Sequence, residues 1–204
     1  MMNLLEACLP VAQARPNNAM VVATMGAMFA LDQIDAKAGQ RLPGRISSVP
    51  LMGGAAGLGL GLALAHPERP VIVVDGDASL LMELGGMASV VAAQPALFLH
   101  IVIANGTQFS GLANLSTLEP HFSFEGFARS AGYAHTQTIS DAGEWQKRFP
   151  GLLQLRGPVL IQLQVEPVPA RTVDGFALSE IPDLQFQRMG QEVAAMREWL
   201  KVAV

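Results

Sequence analysis

The sequence predicts an α/β domain, built as a doubly wound, mainly parallel sheet with helices on both faces. Apolar clusters of strand length alternate along the chain with segments of helical period. Those clusters carry few polar residues, as is typical of parallel strands buried on both faces. At 204 residues the chain is long enough for one sizeable core. We therefore predict one domain over residues 1–165, followed by a C-terminal strap and helix over 166–204 that packs on the same domain or on a partner.

The elements of the first half follow from apolar period and turn residues. Runs of strand length separate the helical patterns, and Gly39 and Gly44 bound the loop before the second strand. The predicted helices are 3–14, 26–38 and 53–65, and the predicted strands are 20–24, 46–49 and 71–74.

The second half continues the alternation. A helix over 79–93 ends at Gln94-Pro95, because proline cannot continue a helix. The run 100–104 is almost continuously apolar, which predicts a buried strand. The proline-rich segment 166–183 resembles a strap. The other predictions are helices at 124–131, 141–149 and 184–202 and a last strand at 159–165.

Composition argues against several classes of protein. The net charge is -4 at pH 7 and Lys and Arg form no cluster, so we expect no nucleic acid partner. Residues 84–118 carry no charge, but Gln94-Pro95 and Asn105-Gly106 interrupt them, so we expect no membrane span. Cys8 is the one cysteine and is expected in the core. The N-terminus lacks the pattern of a signal peptide, and a cytoplasmic location is expected.

The helix predicted at 53–65 carries small residues at a spacing of four, namely Gly53, Gly57, Gly61 and Ala65. Glycine is costly inside a helix, so something must approach this stripe closely. The stripe packs either on the sheet of the same subunit or against a cofactor or a partner helix. Only 15% of the residues are charged, which favours extensive burial against other subunits.

The segment 75–79 follows one buried strand directly and opens a helix, where open α/β sheets bind phosphates. Asp77 would repel a phosphate unless a divalent cation lay between them, and Mg²⁺ or Ca²⁺ prefers oxygen ligands. Asn105 follows the next strand and offers an amide oxygen, while Gly106 permits a turn that exposes the carbonyl of Thr107. The alternative is that Asp77 is a helix cap and Asn105-Gly106 an ordinary turn.

This pattern resembles the thiamine diphosphate motif, which begins Gly-Asp-Gly and ends at Asn; the chain has Gly76-Asp77-Ala78 and then Asn105. Upstream, Met52-Gly53 looks like the Met-Gly segment of the same enzymes. About residues 15 to 165 follow the family pattern, and the compact length resembles that of the β subunits of sulfopyruvate decarboxylase and related phosphonopyruvate decarboxylases.

The resemblance implies thiamine diphosphate and Mg²⁺ as cofactors, with Mg²⁺ bound by the side chains of Asp77 and Asn105 and the main chain of Thr107. Met52 would be the apolar pillar under the coenzyme, and Gln108 and Phe109 would line the substrate end of the cleft. The implied cofactor-binding residues are Met52, Gly53, Gly76, Asp77, Ala78, Ser79, Asn105, Thr107, Gln108 and Phe109.

The family's activating Glu lies on a different domain, and the region before residue 50 is too short to form it. The resemblance therefore implies no catalytic residue here, a pyrimidine-binding partner subunit that supplies the Glu, and a hetero-oligomer built on dimers. The implied function is non-oxidative decarboxylation of a small 2-oxo acid. An acetolactate synthase-like carboligase subunit stays open, as does a catalytically silent regulatory subunit, because Ala78 replaces the family's Gly. The four histidines, at 66, 100, 121 and 135, show no spacing for metal binding and are expected to be structural.

Overall fold

The computed structural model describes residues 1–111, 114–117, 122–169 and 182–202. Six strands form one sheet in the order β2-β1-β3-β4-β8-β7, and every neighbouring pair is parallel. Two short strands, β5 and β6, pair antiparallel beside it. The strands are β1 (Met20–Ala23), β2 (Arg45–Ser47), β3 (Val71–Gly76), β4 (Leu97–Ala104), β5 (Thr107–Gln108), β6 (Leu115–Ser116), β7 (His135–Ile139) and β8 (Gly157–Gln164).

Helices cover both faces of this sheet, which confirms the predicted fold class. Helices α1, α2 and α7 contribute to one buried apolar cluster, and α3, α4, α5, α6 and α8 to the other. Among the described residues, no helix is both long enough and apolar enough to cross a membrane. The helices are α1 (Leu4–Gln13), α2 (Met25–Ala38), α3 (Ala55–Ala65), α4 (Asp77–Met82), α5 (Gly85–Ala93), α6 (Phe124–Ala131), α7 (Ala142–Leu152) and α8 (Pro182–Val202).

The pleat of each strand divides its side chains between the two clusters. In β3, Ile72 and Val74 pack in the first cluster while Val71 and Val73 pack in the second. Strand β1 lies between β2 and β3. The chain therefore adds β2 on one side of β1 and then crosses over to add β3 on the other side, which reverses the strand order. Ligands of open α/β sheets bind beyond the carboxyl ends of strands around such a reversal. This edge carries the residues that the motif analysis singled out.

The predicted helix 79–93 is wrong as one element, because it consists of α4 and α5 with a break at Glu83-Leu84. Two features of the break explain it. The backbone of Gly53 lies so close to it that a Cβ atom there would be 2.8 Å from Glu83 Cβ. In addition, α5 begins with Gly85 and Gly86, which are weak helix formers.

Strand β7 and the β5–β6 pair are further differences from the prediction. β7 lies at the edge of the sheet, and its sequence His-Thr-Gln-Thr-Ile has no apolar run to announce a strand. β4 begins at Leu97, before the predicted start at His100. Edge strands with one solvated face carry few apolar residues, so a search for continuous apolar runs overlooks them.

The small-residue stripe of α3 does not pack on the chain's own sheet. Gly57, Gly61 and Ala65 are exposed, and a Cβ on Gly57 or Gly61 would meet no described atom within 4 Å. Gly59 makes the close approach to the sheet instead, since a Cβ there would lie 2.4 Å from Val73 Cγ2. The interpretation that the stripe packs within the subunit is therefore wrong for these positions.

Helix α8 covers the edge strand β2 through ion pairs, in which Glu192 and Arg45 are buried and Arg188 and Asp32 are partly exposed. The Glu192 carboxylate accepts hydrogen bonds from the main-chain N–H of Ser47 at 2.6 Å and from Arg188 at 3.0 Å. Arg188 also donates to Asp32 of α2 at 2.7 and 3.0 Å, and Arg45 of β2 pairs with the same carboxylate. These contacts attach the described part of the C-terminal segment to the domain; residues 170–181 of the predicted strap lie outside the described residues.

Two glycines of α3 should respond oppositely to alanine. We expect Gly59→Ala to destabilise the chain by about 1–3 kcal/mol, because its methyl group would overpack against Val73. Gly61→Ala fills open space and should stabilise the isolated chain by up to about 1 kcal/mol. Urea unfolding of both variants checks this, and equal effects would contradict the described orientation of α3.

The charges beneath α8 should make stability depend on pH. Burial acts to raise the pKa of Glu192, but hydrogen bonds from Arg41 and Ser47 outweigh it and lower that pKa below its usual value. Burial also acts to raise the pKa of Asp32, and there the hydrogen bond from Arg188 outweighs it, so that pKa is lowered as well. A lowered pKa contributes stability that is complete above the unfolded-state value and is lost as pH falls through the folded-state value. Unfolding should become easier below about pH 4.

The matched variants are Glu192→Gln and Glu198→Gln, of which the second alters an exposed pair with Lys201. We expect Glu192→Gln to lower the free energy of unfolding at pH 7 by about 2 kcal/mol, and to show a shallower loss of stability in acid than the wild type. Glu198→Gln should match the wild type at pH 7 and throughout the acid profile. Parallel acid profiles for Glu192→Gln and the wild type would contradict this account.

Candidate cofactor-binding site

The predicted site residues meet at the carboxyl ends of β3 and β4. The parallel register pairs Asp75 with Val102 and Gly76 with Ile103. Asp77 and Asn105 therefore follow two adjacent strand ends, as the motif analysis required. Asp77 is the first residue of α4 and is 2% exposed.

The Asp77 carboxylate joins the two strand ends. Its Oδ1 atom accepts a hydrogen bond from the N–H of Ala78 at 2.7 Å, and its Oδ2 atom accepts one from the N–H of Gly106 at 2.6 Å. Burial raises the pKa of Asp77, and the N–H donors act in the opposite direction. The N-cap of α4 is Gly76, without a side-chain cap, so the reading of Asp77 as a helix cap does not describe this contact.

Asn105 forms a tight turn with the two residues after it. Its Oδ1 atom accepts from the N–H of Thr107 at 2.9 Å and from the Thr107 hydroxyl at 3.0 Å. Gly106 has φ +69°, a left-handed conformation that glycine adopts at little cost. The N–H of Gly106 also donates to the Asp77 carboxylate. The two residues that flank Gly106, Asn105 and Thr107, are therefore held close to Asp77.

The donor set fits a hard divalent cation. A carboxylate, an amide oxygen and a main-chain carbonyl, from Asp77, Asn105 and Thr107, are oxygen ligands of the kind that Mg²⁺ and Ca²⁺ bind. The described residues contain no group of three or more His, Cys, Asp or Glu side chains suited to a metal. A cation at this edge would use the Asp77 carboxylate and the Thr107 carbonyl. It would also use Asn105 Oδ1 once the bond from the Thr107 hydroxyl to that oxygen is exchanged for the cation.

The Met52-Gly53 segment lies beside the same helix. The N–H of Gly53 donates to the Ser79 hydroxyl at 3.1 Å, and Gly53 has φ +84°. A side chain at Gly53 would collide with Glu83, so this position requires glycine. Met52 is 48% exposed, which leaves its side chain free to contact a ligand at the carboxyl edge of the sheet.

Ala78, the departure from the family's glycine, sits in α4 without backbone strain. The described non-glycine residues with positive φ are Gln94, Phe109 and Asn114, so Ala78 is not one of them. Its methyl group occupies an ordinary position in the first turn of a helix. The structure thus accommodates alanine within the motif.

Of the residues predicted at the substrate end, Gln108 lies in β5 and Phe109 follows it directly. Gln108 pairs with Leu115, and Phe109 is half exposed with φ +53°. A left-handed conformation is uncommon for a bulky residue, and such strain concentrates at functional sites. His121 lies outside the described residues, and His66 and His135 lie at the end of α3 and the start of β7.

Motif reasoning missed one connection to the site. His100 is fully buried in β4, its Nε2 atom is 3.5 Å from Asp75 Oδ2, and its Nδ1 atom is 3.2 Å from the hydroxyl of Tyr133. The available signal was a histidine inside an otherwise apolar strand, next to a strand ending in an acidic residue. The expectation that His100 is structural did not include this contact with the motif strand.

Comparison with protein families identifies the domain. The model of the family described as "Thiamine pyrophosphate enzyme, C-terminal TPP binding domain" matches residues 38–163. This range contains all of the predicted site residues, from Met52 to Phe109. Thiamine pyrophosphate is the same compound as thiamine diphosphate, so the match confirms the resemblance inferred from the motif.

Curated relatives share this sequence over part of their length. The chain is 32% identical over 177 residues to phosphonopyruvate decarboxylase of Streptomyces viridochromogenes, which covers 85% of this chain and 41% of that protein. It is 33% identical over 116 residues to sulfopyruvate decarboxylase subunit beta of Methanothermobacter thermautotrophicus, covering 57% of this chain and 59% of that protein. The chain thus spans about half the length of these relatives.

Solved structures share the fold. The thiamine diphosphate-dependent 4-hydroxybenzoylformate decarboxylase of Rhodococcus jostii RHA1 superimposes with a TM-score of 0.66 at 19% identity, over 80% of this chain and 32% of that one. The family model covers more than half of the chain. The chain therefore belongs to the thiamine pyrophosphate enzymes, as a C-terminal TPP-binding domain.

Proposed function

We propose that this chain is the thiamine diphosphate- and Mg²⁺-binding subunit of a 2-oxo acid decarboxylase acting on a small acid with a phosphonate or sulfonate tail. One observation carries the proposal: the buried Asp77 carboxylate is bonded to Gly106 within the turn that presents Asn105 and Thr107. The names of the two relatives, phosphonopyruvate decarboxylase and sulfopyruvate decarboxylase subunit beta, support the reaction class.

In this proposal the two strand ends hold the cation and the diphosphate. Asp77, Asn105 and the Thr107 carbonyl would hold Mg²⁺, while the Ser79 hydroxyl and the main-chain N–H groups of Ala78 and Ser79 would contact the diphosphate. The Ala78 N–H would then share its hydrogen with Asp77 Oδ1 and the diphosphate. When bound, thiamine diphosphate supplies the electron sink that decarboxylation of a 2-oxo acid requires. The contribution of the protein is to bind and orient.

Met52 is proposed to be the apolar residue that supports the bound coenzyme. Its side chain is half exposed, whereas the main chain of the next residue, Gly53, is fixed by Ser79 and by the close approach to Glu83. An apolar side chain on a fixed backbone can hold a bound ring in one orientation. Gln108 and Phe109 are proposed to line the neighbouring substrate end.

The acid that activates the coenzyme is proposed to come from a pyrimidine-binding partner. Asp77 is committed to the cation, and Asp75 is fully buried, with its Oδ1 atom bonded to the N–H of Gly76. Glu83 is exposed at the break between α4 and α5, beside Gly53, which places it near the diphosphate side. One relative is itself named as a subunit, which supports a division of the enzyme between chains.

The exposed face of α3 supports such a partner. Residues 46–65 include no charged side chain, and on α3 Gly57, Gly61 and Ala65 are exposed together with Leu64, which is 57% exposed. A charge-free helical face that is small at Gly57, Gly61 and Ala65 and apolar at Leu64 is suited to burial against a second polypeptide. Depletion of charged residues is typical of the core of a protein interface.

The first test measures binding of thiamine diphosphate by calorimetry, with and without Mg²⁺. We expect wild-type binding to require Mg²⁺, and Asp77→Asn to weaken it by on the order of 100-fold, because a neutral amide is a poor substitute for the anionic ligand. Asp141→Asn, which changes a helix N-cap on α7, is the matched control and should bind like the wild type. Equal binding by Asp77→Asn would contradict the assigned cation site.

The second test is a decarboxylation assay with pyruvate, sulfopyruvate and phosphonopyruvate. We expect no turnover by the purified chain with thiamine diphosphate and Mg²⁺, and turnover once the polypeptide that co-purifies with it from its host is added. Gly61→Ala should reduce that turnover, since its methyl group would project from the proposed contact face and hinder close approach of the partner.

The outcomes separate the alternatives. Robust turnover by a homo-oligomer would show that the activating acid is on this chain. Release of CO₂ together with a carbon–carbon-bonded 2-hydroxy ketone or acid, in place of the free aldehyde, would indicate a carboligase. Coenzyme binding without any turnover in the reconstituted complex would indicate a regulatory subunit.

A further inference from the structure

A buried polar chain of three side chains runs beneath the candidate site. It consists of Asp75 at the end of β3, His100 in β4 and Tyr133, which follows α6. Asp75 and His100 are 0% exposed and Tyr133 is 6% exposed. Polar groups are costly to bury unless they are paired, so three together in an apolar layer call for a physical reason.

The sheet register brings them together. Val73 of β3 lies opposite His100 of β4, and Asp75 lies two residues further along, so its side chain projects from the same face of the sheet. Asp75 Oδ2 is 3.5 Å from His100 Nε2, and neither atom has a hydrogen-bond partner among the described residues. Asp75 Oδ2 and His100 Nε2 are therefore positioned to pair with each other.

Tyr133 sets the orientation of the histidine ring. Its hydroxyl lies 3.2 Å from His100 Nδ1. Burial, with a smaller contribution from the charge of Asp75, raises the pKa of Tyr133, so the phenol keeps its proton and can donate it to Nδ1. A ring that accepts at Nδ1 has its N–H donor at Nε2, the atom that faces Asp75.

Asp75 connects the buried His100 and Tyr133 to the turn that begins at Gly76. Its Oδ1 atom accepts a hydrogen bond from the N–H of Gly76 at 2.9 Å, and Gly76 precedes Asp77, which in turn is bonded to Gly106. We infer that His100 and Tyr133 are positioning residues that hold the Asp75 carboxylate, and through it the turn 76–77, in the geometry that binds the cation and the diphosphate.

The alternative is that His100 only fills the core. Deleting it would then lower global stability without a specific effect on the turn. The two roles differ in the local protection of the Gly76 and Gly106 amides, which can be measured without any cofactor.

The experiment is amide hydrogen exchange by NMR on the cofactor-free chain. Tyr133→Phe removes one oxygen and keeps the ring, and His100→Leu removes both ring nitrogens. We expect the Gly76 and Gly106 amides to exchange about threefold to tenfold faster in both variants, relative to amides in the middle of β3. His100→Gln, which can keep an N–H donor toward Asp75, should restore protection toward the wild-type value.

The matched control is Ile101→Val, at the next position of β4, which faces the opposite apolar cluster. It should change the melting temperature and leave the relative protection of Gly76 and Gly106 unaltered. Unchanged protection in Tyr133→Phe and His100→Leu, or the same local change in Ile101→Val, would overturn the inference.

A second measurement connects the inference to the cofactor, and only this part rests on the proposed function. His100→Leu should bind Mg²⁺ with thiamine diphosphate at least about threefold more weakly than the wild type. If the wild type bound no coenzyme, the proposed function would fail, while the exchange data would still decide the role of His100 and Tyr133. Weakened binding without a change in exchange would count against the inference.

Discussion

The hydrogen bond from the Gly106 N–H to the Asp77 carboxylate is the contact on which the candidate site depends. It joins the carboxyl ends of β3 and β4, and burial of Asp77 makes any loss of its partners costly. The parallel register of the two strands places the partners side by side, and the left-handed φ of Gly106 lets the turn bend back toward the sheet. A carboxylate held this way keeps lone pairs for a cation.

This geometry could be anticipated because parallel strands end at the same edge of a sheet. Once 71–74 and 100–104 were predicted as neighbouring strands, Asp77 and Asn105 had to be close. The break at Glu83-Leu84 could be anticipated only in part: Gly85 and Gly86 are visible in the sequence, but the close approach of Gly53 from an earlier part of the chain is not. Strand β7 was missed because its polar sequence reflects a position at the sheet edge.

The glycines of α3 show that the spacing of small residues does not by itself determine which face of a helix packs on the sheet. The spacing of four singled out Gly57 and Gly61, but the close contact with the sheet is made by Gly59, and the other two are exposed. The stripe thus describes an outer surface. Under the proposed function, this is the surface that the partner polypeptide would cover.

The most direct test of the central claim is a crystal structure of the chain with thiamine diphosphate and Mn²⁺, which substitutes for Mg²⁺ and can be located by its anomalous scattering. We expect one strong anomalous peak bounded by the Asp77 carboxylate, the Asn105 amide oxygen and the Thr107 carbonyl, with the diphosphate of the coenzyme on its other side. A peak elsewhere on the molecule, or coenzyme density away from the ends of β3 and β4, would contradict the account.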